Sequence, residues 1–151
     1  MTQSLEREAL LPRMDGIRKN IAKLRELAAL PQEQFKIGDP FDLAQHHLRL
    51  ALEGIFHIGS HILSRLPGGR TVEYREIASK LGELGVVPQE FSERALVPMA
   101  NLRNLLVHQY ADLDPIRIQT VLQIHLGDVE TFLSYIRELI EHPEKFGLQI
   151  T

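Results

Sequence analysis

Between Leu102 and Asp114 an arginine, an amide, an imidazole and a phenol fall within two helical turns, at Arg103, Asn104, His108 and Tyr110. If the segment is helical, Asn104 and His108 share one face because they are four residues apart. Arg103 lies beside that face and can swing across it, while Leu102, Leu105 and Leu106 hold the segment in a core. A polar cluster of this kind marks a candidate site. The same groups would also make an ordinary helix end, with Arg103 on a carboxylate and His108 at the C-terminus, where the macrodipole favours its charged form. A second constellation is Glu53, His57 and His61, whose spacing puts three potential metal ligands on one stripe. It lacks the His-Glu-x-x-His order of zinc proteases, and a polar stripe is what the outer face of any bundle helix carries. It reads as solvated surface, and no metal or other cofactor is expected. His46 and His47 are adjacent and point apart. The basic run Arg13, Arg18, Lys19, Lys23 and Arg25 reads as a solvated face.

Other chemistries are absent from the text of the chain. Pro67-Gly68-Gly69-Arg70 has neither the Lys-Ser/Thr of a phosphate-binding loop nor dinucleotide glycine spacing, so it reads as a turn. No serine sits in a Gly-x-Ser-x-Gly elbow. The 151 residues include no cysteine, which excludes disulfides, thiolate zinc sites and a cysteine nucleophile. A cytoplasmic location is expected. The first residues lack the basic-then-apolar pattern of an export signal, and no stretch approaches the ~18 apolar residues of a membrane span. A formal net charge of -3 gives no overall attraction to nucleic acid or an anionic membrane, so such a partner must be met by a local cluster.

The elements that position these residues follow from periodicity. With 44% hydrophobic and 25% charged residues, the chain fits one folded domain over residues 1–151. Leu10, Met14, Ile17, Ile21, Leu24 and Ala28 form the stripe of a first helix ending near Pro31. Asp39-Pro40 opens a second, with Phe41, Ala44, Leu48, Leu52, Ile55, Gly59, Ile62 and Leu66 buried, ending at Pro67-Gly68-Gly69. A third follows Thr71 as N-cap, turns Ile77, Ala78 and Leu81 inward, and stops at Gly82 or Gly85. A fourth spans Gln89 to Val107 with a kink or restart at Pro98. Asp114-Pro115 launches the last, whose stripe is Ile118, Val121, His125, Val129, Phe132, Ile136 and Ile140, and His142-Pro143 ends it. No segment alternates with a period of two. The expected fold is an all-α antiparallel bundle of four to five helices.

Arg103-Asn104-x-x-x-His108-x-Tyr110 resembles the motif of the HEPN superfamily, in the form with a trailing tyrosine found in HepT-type toxins. The stretch from Ala51 to Ile62 resembles that group's second helix, and Val97-Pro98-Met99-Ala100-Asn101-Leu102 resembles its run into the motif. The resemblance implies an all-α, metal-independent ribonuclease that works as a homodimer, with two motifs facing one cleft across a two-fold axis. Cleavage through the RNA 2′-hydroxyl needs proton transfer and positive charge for the phosphorane. His108 suits the first because imidazole titrates near neutrality, and Arg103 the second because its charged planar fork binds oxygens in pairs. Asn104 would orient the histidine or the phosphate. By the same resemblance, Tyr110 matches the tyrosine that a cognate MntA-type nucleotidyltransferase antitoxin adenylylates to silence the toxin.

The resulting expectation is a toxin endoribonuclease acting on tRNA or mRNA. The alternative is a non-catalytic helical subunit that binds nucleotide or substrate for a partner nucleotidyltransferase. A bare dimerisation bundle is a third reading. Leu27, Leu30 and Leu63, apolar residues beyond one stripe, are offered as the dimer surface.

Overall fold

The computed structural model describes residues 3–108 and 113–151. Three long helices frame it: α1 (Arg7–Ala28), α3 (Asp39–Leu63) and α7 (Pro115–Glu141), with a single-turn α2 (Gln32–Phe35) between the first two. The shorter α4 (Tyr74–Glu83) and α5 (Gln89–Phe91) lead through a π-helical turn at Ser92–Leu96 into α6 (Val97–His108). The fold is all-α, as the periodicity indicates. A two-stranded parallel sheet, β1 (Gln3–Leu5) with β2 (Leu148–Ile150), joins the two ends of the chain. Three-residue strands are too short to show alternation, so the sequence gives no sign of them.

The α1 stripe is buried as expected, from Leu10 through Met14, Ile17, Ile21 and Leu24 to Ala28. α3 is the central helix. It buries residues all round, Leu48, Leu52, Ile55 and Ile62 together with Ala51, Phe56, Ile58 and Leu63. Its most extensive partner is α1, and its other flank receives α4 and α6. Gly59 permits the α4 contact, since a Cβ there would lie 2.9 Å from Leu81 Cδ1. None of the described helices is long and apolar enough to cross a membrane.

Several details differ from the sequence reading. Leu63 is fully buried, Leu27 is 6% exposed and Leu30 packs against the same core. These leucines belong to the chain's own interior and do not offer a dimer surface. In α7 the inward positions are Leu122 and Leu126, whereas His125 is exposed and Val121 half-buried. The three-and-four spacing admits both registers over this stretch, and the end of α1 decides between them. The buried Gln119 amide donates to Ala28 O (3.3 Å) and Leu30 O (2.8 Å), and Gln123 donates to Ala28 O (3.1 Å). These carbonyls have no partner within their own helix, and meeting them turns 119, 122 and 126 inward.

The irregularity expected at Pro98 falls one turn earlier, in the π-helical Ser92–Leu96. A proline ring crowds the carbonyl four residues back, and a widened turn makes room for it. α4 starts at Tyr74, three residues beyond the expected cap, because the Thr71 hydroxyl hydrogen-bonds the Glu76 carboxylate and caps no backbone N–H. Asp114 does cap α7, accepting from Ile116 N at 3.0 Å.

Candidate functional site

α6 buries Met99, Ala100 and Leu106. Leu102 and Leu105 are only half-buried and line an open groove of about 820 Å³ between α6 and α7, with Pro98, Val121 and Arg117 around it. Only one of the three leucines expected to anchor this segment is therefore fully in the core.

Arg103 leaves α6 on another side, and it does not swing toward His108. Its Nε and Nη2 donate to one carboxylate oxygen, Glu53 Oε2, at 3.2 and 3.0 Å. Glu53 is held in turn by Arg49 through Oε1 at 3.1 Å. The guanidinium lies 4.4 Å from the centre of the Tyr74 ring, and that ring stacks on Phe56 at 5.1 Å with 14° between planes. A cation held over an aromatic face has its plane fixed as well as its position. Nη1 reaches Asn104 Oδ1 at 3.4 Å. Of the five N–H groups of Arg103 two are on Glu53 and one reaches Asn104, which leaves one on Nη1 and one on Nη2. Those two N–H groups remain for a ligand such as a phosphate. Arg103 and Asn104 line a depression with Val72, Glu73, Tyr74 and Arg75.

Arg103 and Asn104 are thus brought together. His108 is exposed, ends α6, and does not line this depression among the described residues. The reason is helical geometry: five residues correspond to about 140° of rotation, so a single helix cannot place both side chains on one spot. Tyr110 lies outside the described residues.

Two residues of this arrangement carry roles that sequence reasoning misses. Tyr74 gives no signal, because an aromatic at the start of a short helix is ordinary. Glu53 stands out in the sequence only as a metal ligand with His57 and His61. That set does not converge: Glu53 is committed to the two arginines, and His61 Nε2 accepts from the Glu6 N–H at 3.2 Å. Ligand atoms do converge at Glu138, Glu141 and His142 near the end of α7, where Glu138 already pairs with Lys145 at 3.0 Å.

Comparison with known proteins places this geometry in context. The family model for HepT-like ribonucleases matches residues 17–136. The chain is 28% identical over 97 residues to the tRNA nuclease HepT of Aphanizomenon flos-aquae, covering 64% of this chain but only 63% of that protein's length. It is 30% identical over 130 residues to the mRNA nuclease HepT of Shewanella oneidensis, covering 82% of this chain and 97% of that one. Among solved structures, the tri-AMPylated Shewanella oneidensis HEPN toxin in complex with its MNT antitoxin superposes with a TM-score of 0.77 at 25% identity, over 86% of this chain and 97% of that chain. A mutant MntA-HpeT toxin-antitoxin structure gives 0.75 at 25% identity, over 87% and 98%. The matched span runs from within α1 to near the end of α7 and takes in the Glu53–Arg103 pair, Asn104 and His108, and on this ground the chain belongs to the HepT-like ribonuclease family.

Proposed function

We propose that this protein is the toxin endoribonuclease of a two-component toxin–antitoxin module, cleaving tRNA or mRNA without a metal ion. The observation that carries this reading is Arg103, oriented by Glu53 and the Tyr74 ring, lining an open depression beside Asn104 in a chain whose family is that of HepT-like ribonucleases. Relatives are described as a tRNA nuclease and an mRNA nuclease, and solved relatives as toxins bound to antitoxins.

In the proposed reaction one imidazole removes the proton of the RNA 2′-hydroxyl, and the oxygen attacks the adjacent phosphorus. The bond from phosphorus to the 5′-oxygen breaks, and a second imidazole protonates that oxygen, leaving a 2′,3′-cyclic phosphate. Arg103 neutralises the phosphorane oxygens. One chain supplies a single His108, so the mechanism places two copies around one cleft, related by a two-fold axis. The groove between α6 and α7, with Ile116 and Ile124 exposed at 44% and 65% on α7, supports a second copy on that side. Tyr110 is the proposed acceptor of adenylate from a cognate nucleotidyltransferase.

Purified protein incubated with end-labelled tRNA and mRNA tests the reading. Cleavage is expected with cyclic-phosphate termini, and His108→Ala should lose it by a factor of about 10² to 10⁴ while melting at the wild-type temperature. A His108→Ala protein that is well folded and cleaves at the wild-type rate would overturn the assignment. Nucleotide binding with no cleavage by wild type would favour the non-catalytic subunit.

A further inference from the structure

A third concave surface, of about 410 Å³, opens between the first half of α1, the C-terminal half of α3 and the loop that follows it. Arg13, Arg65, Arg70, His57 and His61 line it, and among the described residues no carboxylate does. This is unusual for a chain of net charge -3, and several of the groups that form it are held in place.

Arg65 is fixed at three points. Its Nε donates to Ser4 O at 3.3 Å, its Nη1 to Ser64 Oγ at 2.7 Å, and its Nη2 lies 3.7 Å from a Glu6 carboxylate that is itself mostly exposed. His61 accepts from the Glu6 N–H through Nε2, so its neutral ring carries the proton on Nδ1 and is a donor. Burial, then the Arg65 charge, with Arg13 adding to it, holds that imidazole below its ordinary pKa against the Glu6 carboxylate, which pulls the other way. The loop bearing Arg70 is stapled down: Lys80 Nζ donates to Gly68 O at 3.0 Å and Arg70 O at 3.4 Å. Gly69 lets the loop lie on α3, since a Cβ there would be 2.3 Å from Leu63 O. Arg13 and Arg70 themselves form no ion pair among the described residues, which leaves their charge for a ligand.

The position matters as much as the charge. Val72, 86% exposed, lines both this hollow and the depression at Arg103. Along α3, Glu53 under Arg103 is followed by His57 and His61 at steps of one turn, about 6 Å each. The stripe that reads in the sequence as a possible metal set therefore runs along α3 from the residue that holds Arg103 to the basic hollow.

We infer that this hollow is a phosphate-binding site that holds the backbone of the RNA strand next to the phosphate at Arg103. The inference rests on the ribonuclease reading for its ligand. Three arginines and an imidazole donor fit a phosphodiester, and nothing in the hollow reads a base, so the contact anchors the strand without selecting sequence.

The test uses the Arg13→Gln/Arg70→Gln double variant, with Arg13→Lys/Arg70→Lys as the charge-preserving control and thermal melts to show that all are folded. Binding of fluorescently labelled tRNA is measured by anisotropy in a non-cleaving His108→Ala background across a salt series. The glutamine pair should weaken binding about tenfold and reduce the slope of log K against log salt by between about 1.4 and 1.8, as expected when two phosphates are no longer neutralised. The lysine pair should restore most of both. In the cleaving protein the glutamine pair should raise KM and leave kcat near wild type. Inorganic phosphate and AMP are titrated separately while the His57 and His61 ring resonances are followed by NMR. Unchanged tRNA affinity and salt slope would overturn the inference. Shifts with phosphate or AMP but no effect on tRNA would also overturn it, by assigning the hollow to a free phosphate or nucleotide. If wild type cleaves no RNA yet the glutamine pair still loses affinity and slope, the cleavage reading fails and this site stands.

Discussion

Replacing Glu53 by glutamine isolates what orients Arg103. The amide has the same shape, but it loses the charge and keeps only one oxygen, so its NH2 must face either Arg49 or Arg103 where the carboxylate accepted from both. Both partners are about one-fifth exposed, at 21% and 18%, so solvent screens the pair only in part. A hydrogen bond to a charged group contributes about 1.5–3 kcal/mol when buried; one of the two arginines loses its acceptor, and partial screening lowers the cost. The substitution should therefore cost about 1–1.5 kcal/mol, or roughly 2–6 °C in Tm for a domain of this size. The Tyr74 stack survives and keeps Arg103 over the ring, so the arginine is loosened but not released. Misplacement by about 1 Å can cost about 10²-fold in rate, and kcat should fall about 10- to 100-fold with KM nearly unchanged. Calorimetry and steady-state cleavage of labelled tRNA measure the two effects on the same preparation. A lower Tm with full kcat would show that the pair only holds α6 to α3. An unchanged Tm and unchanged kcat would refute the geometric argument altogether.

Other perturbations have equally definite outcomes. Arg103→Ala should abolish cleavage but also lower Tm, because it leaves Glu53 half-buried with only Arg49 as partner; calorimetry alongside the assay separates the two losses. His61 is held below its ordinary pKa by burial and by Arg65, so the unfolded chain binds more protons around pH 6.5 and below. Its neutral form therefore stabilises the fold above that range, and this contribution is lost as the pH falls. Melts at pH 7.5 and 5.5 should show a smaller difference in His61→Gln than in wild type. Cleavage should survive EDTA, and loss of activity restored by a divalent ion would sink the metal-independent mechanism. Tyr110→Phe should stay toxic when co-expressed with a cognate nucleotidyltransferase, and peptide mass mapping of the wild type should find adenylate on Tyr110.

The helices are legible in the sequence where a strict three-and-four spacing coincides with a stop signal. The α1 stripe and the Asp114-Pro115 start are of this kind. The sequence is ambiguous where two apolar registers coexist, as over residues 121–126, because the choice depends on carbonyls at the end of α1 that are distant in the chain. In the candidate site, Arg103 and Asn104 are readable from the motif, and their partners are not. Glu53 lies fifty residues before Arg103, and spacing along one helix cannot reveal an ion pair between two. The expected convergence of Arg103 and His108 fails for a simpler reason. A five-residue separation turns them apart, and a cleft holding both calls for a second copy of the chain.

The pairing of β1 with β2 also shapes the order in which the molecule folds. Arg7 N donates to Thr151 O and Thr151 N to Leu5 O, each at 2.9 Å, and Leu5 is fully buried. β1 thus waits for partners 145 positions later in the chain. The helices α1 and α3 can associate early through contacts close in sequence, but Leu5 can find its place only once β2 has reached it. Closing such a long loop costs little more than closing a short one, yet it delays the step. Arg65 depends on the same event, because it is anchored to Ser4 O. The basic hollow is then completed late in folding, after the helices it lies between have already met.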